Sequence, residues 1–201
     1  MLYIFDLGNV IIDIDFQRVL QVWSQHSGVP VATLQARFTH DAAFCEHERG
    51  TLSDAEFAEA VNRVLGMQLS FAQFAEGWQA IFGALRMPVI ERMQQLRAAG
   101  ETVVVLSNTN ALHCELWPSL YPQVAHSADR VYLSNEMGWR KPQPQIYQQV
   151  LADSGFTPAQ SCFFDDNADN IAAARALGIE SVWVKDAQTV LEYFRQRDLG
   201  A

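Results

Sequence analysis

Polar residues follow strand-like runs at several points of this chain, in positions where they could bind a metal ion and a phosphate. Asp6 follows the first run, Ser107 and Asn108 the second, and Asp165 and Asp166 the fourth. In an open parallel sheet, ligands bind beyond the carboxyl ends of the strands. We therefore expect these side chains to meet at one edge of a sheet.

Lys141 belongs to the same set, because it lies in a turn-rich stretch after the third strand-like run. Carboxylates brought to one edge repel each other, and a hard divalent cation with oxygen ligands, such as Mg²⁺, relieves that repulsion. The Ser107 hydroxyl and the Lys141 ammonium could bind phosphoryl oxygens. The combination predicts a phosphate site that depends on Mg²⁺.

Each of these residues, taken alone, has an ordinary structural explanation. An aspartate after a strand is often a turn residue, and Ser107 with Asn108 could cap the following helix. Lys141 could be a solvated lysine before a turn at Pro142. Their joint occurrence in this order, each near a strand end, favours a functional site.

The strand-like runs alternate with helical patterns in the second half of the chain, which indicates βαβ units on a parallel sheet. Pro88 and Gly100 bracket one predicted helix, and Gly178 ends another that begins near Ala168. We predict an α/β fold with a Rossmann-like parallel sheet. Its strands are expected at Leu2 to Phe5, Thr102 to Leu106, Arg130 to Leu133, Cys162 to Phe164 and Ser181 to Val184.

The stretch between the first two strands is longer than a simple crossover needs and shows no convincing strand. Ser53 and Ser70 each begin a capping box in front of a run with helical apolar spacing. We therefore predict a helical cap domain at residues 16–85. It would be inserted into an α/β catalytic core formed by residues 1–15 and 86–201.

The overall charge argues against polyanionic partners. The chain has 201 residues and a formal net charge of -9, and it contains no cluster of lysine or arginine. We expect neither nucleic acid nor an anionic membrane as a partner. A small phosphorylated metabolite is compatible, because a metal ion and one lysine can reverse the field locally.

The start of the chain and its thiols favour a cytoplasmic location. No secretory signal is visible at the amino terminus, and the apolar runs are too short to span a bilayer. Cys45, Cys114 and Cys162 are widely spaced and form no CxxC pair. That spacing favours reduced thiols over a disulfide framework or a zinc site.

The four groups together resemble the motifs of the haloacid dehalogenase superfamily of phosphatases. They occur in order along the whole chain as Asp6-Leu7-Gly8-Asn9-Val10, Ser107-Asn108, Lys141-Pro142 and Phe163-Phe164-Asp165-Asp166-Asn167-Ala168-Asp169-Asn170. A closer resemblance, which adds His47-Glu48-Arg49-Gly50, is to bacterial alpha-D-glucose-1-phosphate phosphatases. The resemblance implies hydrolysis of a small sugar phosphate.

The same resemblance implies a role for each residue of the set. Asp6 would attack phosphorus and form an aspartyl-phosphate, and Lys141 would neutralise charge on the phosphate and on Asp6. Phosphate monoesters need such help because they hydrolyse extremely slowly without a catalyst. The metal ligands would be Asp6, the Gly8 carbonyl and Asp166; the phosphate ligands Ser107, the Asn108 backbone and Lys141; the residues that orient them Asp165, Asn167 and Asn170.

Gly8 departs from the superfamily's usual pattern, in which many phosphatases carry a second aspartate two residues after the nucleophile. That aspartate is the general acid and base, a contribution typically worth about 10²- to 10⁴-fold in rate. An anomeric sugar phosphate needs less help, since its leaving hydroxyl is more acidic than an ordinary alcohol. The alternatives are a metal-bound water, a group delivered by the cap, or the substrate itself.

Two other functions are compatible with parts of the pattern. A dehalogenase on the same scaffold also uses an aspartate nucleophile, but it needs no Mg²⁺, and Ser107, Asp165 and Asp166 argue against it. A weakly catalytic phosphate-binding protein would also explain a missing acid at Gly8.

Residues of the predicted cap are expected to set substrate specificity by closing over the site. Trp23 and Trp78 could equally form the cap's own core, because helical aromatic stripes usually do. The charged stretch that begins at His47 could equally be a solvated face. The candidates are Trp23, Phe44, His47, Glu48, Arg49 and Trp78.

Overall fold

The computed structural model describes residues 1–197. The strands in this range are β1 (Leu2–Phe5), β2 (Ile12–Ile14), β3 (Phe82–Leu85), β4 (Thr102–Ser107), β5 (Arg130–Leu133), β6 (Ser161–Asp165) and β7 (Glu180–Trp183). The helices are α1 (Phe16–Ser27), α2 (Val31–Arg37), α3 (Ala42–Glu48), α4 (Asp54–Leu65), α5 (Phe71–Gln79), α6 (Met87–Ala98), α7 (Ala111–Leu120), α8 (Pro122–Ser127), α9 (Ser134–Met137), α10 (Pro144–Ser154), α11 (Ala168–Ala176) and α12 (Ala187–Gln196).

A five-stranded parallel sheet forms the centre of the molecule, with strand order β5, β4, β1, β6, β7. The predicted α/β fold with a parallel sheet is thereby confirmed. Each of its five strands lies within one residue of the predicted ends. The carboxyl ends of β1, β4 and β6 are adjacent, so the residues that follow them share one edge of the sheet.

Both faces of this sheet are covered, which explains why its central strands are apolar throughout rather than alternating. Tyr3 and Phe5 of β1 belong to the core on one face, whereas Leu2 and Ile4 belong to the core on the other. The rings of Phe5 and Phe164 stack with centroids 4.7 Å apart. The first core also continues into the helices between β2 and β3.

The helices of the core end where the sequence predicts. Pro88 lies in the first turn of α6, and Gly100 follows that helix with a φ of +84°. Gly178 follows α11 with a φ of +85°, a left-handed conformation that glycine adopts without steric cost.

Helices α1 to α5 lie between β2 and β3, in the segment that we propose as the cap. The capping boxes at Ser53 and Ser70 are both present. Trp23 and Trp78 stack nearly parallel with centroids 5.8 Å apart. A Cβ atom on Gly77 would lie 2.2 Å from the Trp23 ring, so close packing of α1 on α5 requires glycine there.

The expectation of no strand between β1 and β4 is wrong, because β2 and β3 pair there as a short antiparallel ribbon. Strands this short give little periodicity to detect in a sequence. Arg86, after β3, donates from Nε to Asp13 of β2 at 2.7 Å. The ribbon lies where the chain leaves and re-enters the core, and we keep 16–85 as the proposed cap.

None of the helices within residues 1–197 combines the length and the apolar character that crossing a bilayer requires.

Candidate active site

Lys141 lies at the centre of a buried charge cluster at the carboxyl edge of the sheet. Its Nζ donates to Asp6 Oδ1 at 2.6 Å, to Asp165 Oδ2 at 2.7 Å and to the Leu106 carbonyl at 2.8 Å. The residue is 1% exposed. Since an ammonium has three donors, all of them are used, and Lys141 joins the ends of β1, β4 and β6.

The charges of Asp6 and Lys141 depend on each other. Burial raises the pKa of Asp6 to about 8, against the opposing effect of Lys141 and with a further rise from Asp165. Burial also lowers the pKa of Lys141, but the carboxylates of Asp165 and Asp6 outweigh it and raise that pKa above its usual value. Lys141 therefore stays protonated, and the carboxyl groups of Asp6, Asp165 and Asp166 outnumber this one ammonium.

A divalent cation fits this excess of carboxylate. Asp6, Asp165 and Asp166 each offer an oxygen, and the three oxygens lie within 4.8 Å of one another. Burial also raises the pKa of Asp166, with Asn9 opposing the rise. An all-oxygen donor set is the kind that Mg²⁺ prefers, and a nearby dication would hold these carboxylates ionised.

Asp165 is engaged by protein donors and suits the orienting role expected of it. Its Oδ1 accepts from the Asn167 backbone N–H at 2.8 Å, and the Asn170 side chain donates to both of its oxygens at 3.0 and 3.1 Å. Together with the bond from Lys141, these contacts occupy the carboxylate. Asp6 and Asp166 accept fewer bonds from protein donors, and they remain the two carboxylates that we expect to bind a metal ion.

Asn9 positions Asp166, a function that sequence reasoning missed. Its Nδ2 donates to Asp166 Oδ2 at 3.1 Å, and its Oδ1 accepts from the Ile14 backbone N–H at 3.1 Å. Asn9 has a φ of +55°, a left-handed conformation that asparagine tolerates better than most residues. The sequence pair Gly8-Asn9 is typical of a turn, and it is the signal that could have indicated this conformation.

Ser107 and Asn108 lie at the end of β4, where the phosphate was expected. Ser107 is 4% exposed, and both residues line the cavity described below. The Asn108 side chain pairs with the Lys141 backbone, donating to its carbonyl at 2.9 Å and accepting from its N–H at 2.8 Å. Neither residue caps the next helix, since Asn110 is the N-cap of α7.

A cavity of about 380 Å³ lies between this edge of the sheet and the cap. Of the predicted site residues, only the buried Asp165 is absent from its lining. The predicted residues that it does bring together are Asp6, Gly8, Ser107, Asn108, Lys141, Asp166, Asn167 and Asn170.

Three of the six cap residues that we named as candidates line the cavity. Phe44, Glu48 and Trp78 line the cavity, whereas the other three candidates do not. Trp23 is buried in the cap's own core, and His47 bonds Asp54 at 2.6 Å and stacks on a phenylalanine. The lining residues that sequence reasoning missed include Phe16, His40, His113 and Arg140.

His113 joins the cap to the core beside the cavity. Its ring stacks on Trp78 with centroids 5.0 Å apart, and its Nε2 donates to the Trp78 carbonyl at 3.0 Å. Its Nδ1 accepts from Asn110 at 3.1 Å. Burial lowers the pKa of His113 to about 4, so the ring is neutral near pH 7.

Known proteins show the same sequence pattern and fold. A family model of haloacid dehalogenase-like hydrolases matches residues 1–178. A D-ribitol-5-phosphate phosphatase of Bacteroides thetaiotaomicron is 28% identical over 185 residues, which cover 89% of this chain and 88% of that protein. A phosphatase of Mycobacterium tuberculosis is 28% identical over 198 residues, covering 90% and 85% of the two chains.

A solved structure of a family member has a similar fold. It is a haloacid dehalogenase-family enzyme of Bacteroides thetaiotaomicron in complex with magnesium and inorganic phosphate. It superimposes with a TM-score of 0.77 at 28% identity, covering 90% of this chain and 91% of the other.

Proposed function

Because the chain belongs to the haloacid dehalogenase-like hydrolase family, we propose that it transfers the phosphoryl group of a small sugar phosphate to Asp6 and then to water. The predicted enzyme class, a phosphatase, is confirmed by the named relatives. The predicted cofactor, Mg²⁺, is confirmed by a relative crystallised with magnesium and phosphate. The substrate and the role of each residue are our proposals.

The observation that carries the proposal is the fixed position of Asp6 beside the cavity. Lys141 binds Asp6 Oδ1 and is itself held by two further acceptors. The other Asp6 oxygen is then available to attack phosphorus. As it attacks, the bond from phosphorus to the leaving oxygen breaks, and an aspartyl-phosphate forms.

The surrounding residues would stabilise the negative charge that spreads over the phosphoryl oxygens. Ser107 and the Asn108 backbone would hold two of these oxygens, and Lys141 would reduce repulsion between the phosphate and Asp6. Mg²⁺, bound by Asp6, the Gly8 carbonyl and Asp166, would neutralise further charge. Water then attacks phosphorus, which releases phosphate and restores the Asp6 carboxylate.

We propose alpha-D-glucose 1-phosphate as the substrate, for a reason that lies at Gly8. No carboxylic acid stands at this position to protonate the leaving oxygen, and an anomeric hydroxyl leaves more readily than an ordinary alcohol. The cavity combines aromatic and polar lining in a volume of about 380 Å³, which is within the range of small-molecule sites.

A phosphorylated open-chain polyol is the second candidate, because one relative is a D-ribitol-5-phosphate phosphatase. Its phosphate is on a primary alcohol, which needs more help in leaving. A dehalogenase or a weakly catalytic phosphate-binding protein would each keep Asp6, but the first would not need Mg²⁺ and the second would not turn over. The cytoplasmic location likewise remains a prediction.

A substrate panel separates these possibilities. Phosphate release is measured with Mg²⁺ from alpha-glucose 1-phosphate, glucose 6-phosphate, ribitol 5-phosphate and a chromogenic aryl phosphate, with Asp6→Asn as the control. Among the sugar and polyol phosphates, we expect kcat/KM to be highest for alpha-glucose 1-phosphate. Equal values for the two glucose phosphates would contradict the leaving-group argument, and no release above the Asp6→Asn control would contradict the phosphatase itself.

A further inference from the structure

A charged pair crosses the cavity wall between the cap and the core. Glu48 is the last residue of α3 in the cap, and Arg140 directly precedes Lys141 in the core. Arg140 Nε donates to Glu48 Oε2 at 2.6 Å, and both residues line the cavity. The Arg140 side chain is 20% exposed and the Glu48 side chain 11%, so the pair is largely shielded from water.

The pair balances its own charge while leaving polar atoms free. Burial raises the pKa of Glu48, and Arg140 opposes that rise, while an arginine in a protein stays protonated. Within residues 1–197, the structure gives no hydrogen-bond partner to Glu48 Oε1 or to the two terminal nitrogens of Arg140. The wall therefore offers one acceptor and several donors with no net charge.

An aromatic surface lies in the same wall. The rings of His40 and Phe44 stack with centroids 4.2 Å apart and an interplanar angle of 11°. Both line the cavity together with Trp78. Flat apolar surface beside a few oriented polar groups suits a small ligand that has both CH and OH groups.

We infer that Glu48 and Arg140 bind hydroxyl groups of the substrate's leaving group and exclude substrates that carry a second anionic group there. This inference rests on the proposed phosphatase function and names the substrate class, a neutral polyhydroxy phosphate. A hydroxyl can donate to Glu48 and accept from Arg140. A carboxylate would face Glu48 while the charge of Arg140 is already compensated, and like charges at a binding surface suppress the wrong partner.

Two substrates that differ only at the sugar's far end test the inference on the unmodified enzyme. Alpha-glucose 1-phosphate has a hydroxymethyl group where alpha-glucuronic acid 1-phosphate has a carboxylate. We expect kcat/KM to be at least about 10-fold higher for the glucose compound, because a like charge in the wall opposes the second substrate. Equal kcat/KM for the two would overturn the inference.

Glu48→Gln should reverse this preference. The substitution removes the carboxylate charge and leaves Arg140 uncompensated. We expect kcat/KM on alpha-glucose 1-phosphate to fall about 10- to 100-fold, in line with loss of a hydrogen bond to a charged group, and kcat/KM on alpha-glucuronic acid 1-phosphate to rise. Hydrolysis of a small aryl phosphate, which has no hydroxyls to bind, should fall by a smaller factor than hydrolysis of alpha-glucose 1-phosphate.

Two further variants separate recognition from a purely structural role. Glu46→Gln lies on the same helix but is exposed and outside the cavity, so it should leave all three activities unchanged. The double variant Glu48→Gln with Arg140→Gln should lose the gained activity on the glucuronic acid compound, because no cation remains. If Glu48→Gln lowers all three activities by the same factor, or changes none, the inference is wrong.

Failure of the inference is distinguishable from failure of the proposed function. In the first case the enzyme still releases phosphate from the aryl and glucose compounds, but without discrimination against the carboxylate. In the second case it releases phosphate from none of them.

Discussion

Gly8 is a glycine where a catalytic acid would otherwise stand, and its surroundings show that a side chain there needs little rearrangement. Its backbone is not in the left-handed region, and a Cβ atom would meet the end of the Ile14 side chain at 3.0 Å. Because that end is flexible, the position can be substituted to ask how far the missing acid limits the enzyme.

We predict that Gly8→Asp changes the preference among leaving groups. A carboxylic acid would help an ordinary alkoxide more than an anomeric one, so kcat/KM on glucose 6-phosphate should rise by about 10-fold or more relative to alpha-glucose 1-phosphate. Steady-state assays on the two substrates measure this ratio. Gly8→Ala is the matched control for the contact with Ile14, and the same ratio in both variants would contradict the argument.

The site residues that could be predicted from the sequence have ionisable side chains and lie after strand-like runs. Asp6, Lys141 and Asp166 follow strand-like runs, and the structure gathers them at one edge as expected. Asn9 and Arg140 were missed because their contributions depend on a left-handed backbone and on a partner in the cap. Asn9 contacts Asp166 and Arg140 contacts Glu48. These pairs are far apart in the sequence, so a local sequence pattern does not indicate them.

The contact between α5 and α7 is where the cap is fixed to the core near the cavity. His113 is neutral there, stacked on Trp78 and bonded at both ring nitrogens. In the unfolded chain a histidine has a pKa of about 6.5, whereas burial lowers that of His113 to about 4. The unfolded state therefore binds more protons between these two values.

The consequence is a loss of stability in mild acid. As pH falls from about 6.5 towards 4, protonation of the unfolded state draws the equilibrium away from the folded state, by about 2 kcal/mol for His113 at pH 5. Unfolding in urea at pH 7.5 and 5, without metal, measures this loss. We expect His113→Gln to lose about 2 kcal/mol less than the wild type over that interval.

The matched control for this experiment is His126→Gln, which replaces an exposed histidine on α8. It should keep the pH dependence of the wild type. If His113→Gln also keeps it, the buried neutral ring does not contribute as described.

The helices and central strands could be predicted because their signals are local. Ser53 and Ser70 carry complete capping boxes, and the central strands are continuous apolar runs. The ribbon of β2 and β3 could not be predicted, because its pairing joins residues near 13 to residues near 84. Strands this short are recognised only from their pairing in the folded structure.

Across the whole molecule, a chain with a net charge of -9 concentrates three carboxylates around one lysine at the sheet edge. A cation that binds this edge in the folded state alone must stabilise the protein, by about 2.7 kcal/mol when its concentration is 100 times its dissociation constant. We therefore predict that Mg²⁺ raises the midpoint of thermal unfolding and that a chelator reverses the rise.

Asp166→Asn should abolish most of this rise, because we propose Asp166 as a metal ligand and Asp165 is already bonded to Lys141 and Asn170. Asp169→Asn is the control, since Asp169 is an exposed acid three residues further on that does not line the cavity. An equal Mg²⁺-dependent shift in the wild type and in Asp166→Asn would contradict the assignment.

The covalent role of Asp6 is central to the proposed mechanism, and trapping the phosphoenzyme tests it directly. The enzyme is mixed with Mg²⁺ and alpha-glucose 1-phosphate, quenched during turnover and treated with borohydride, which reduces an acyl phosphate to an alcohol. The peptide containing residue 6 should then carry homoserine there, with one oxygen lost and two hydrogens gained by the side chain. Reduction at any other carboxylate, or undiminished turnover in Asp6→Asn, would contradict it.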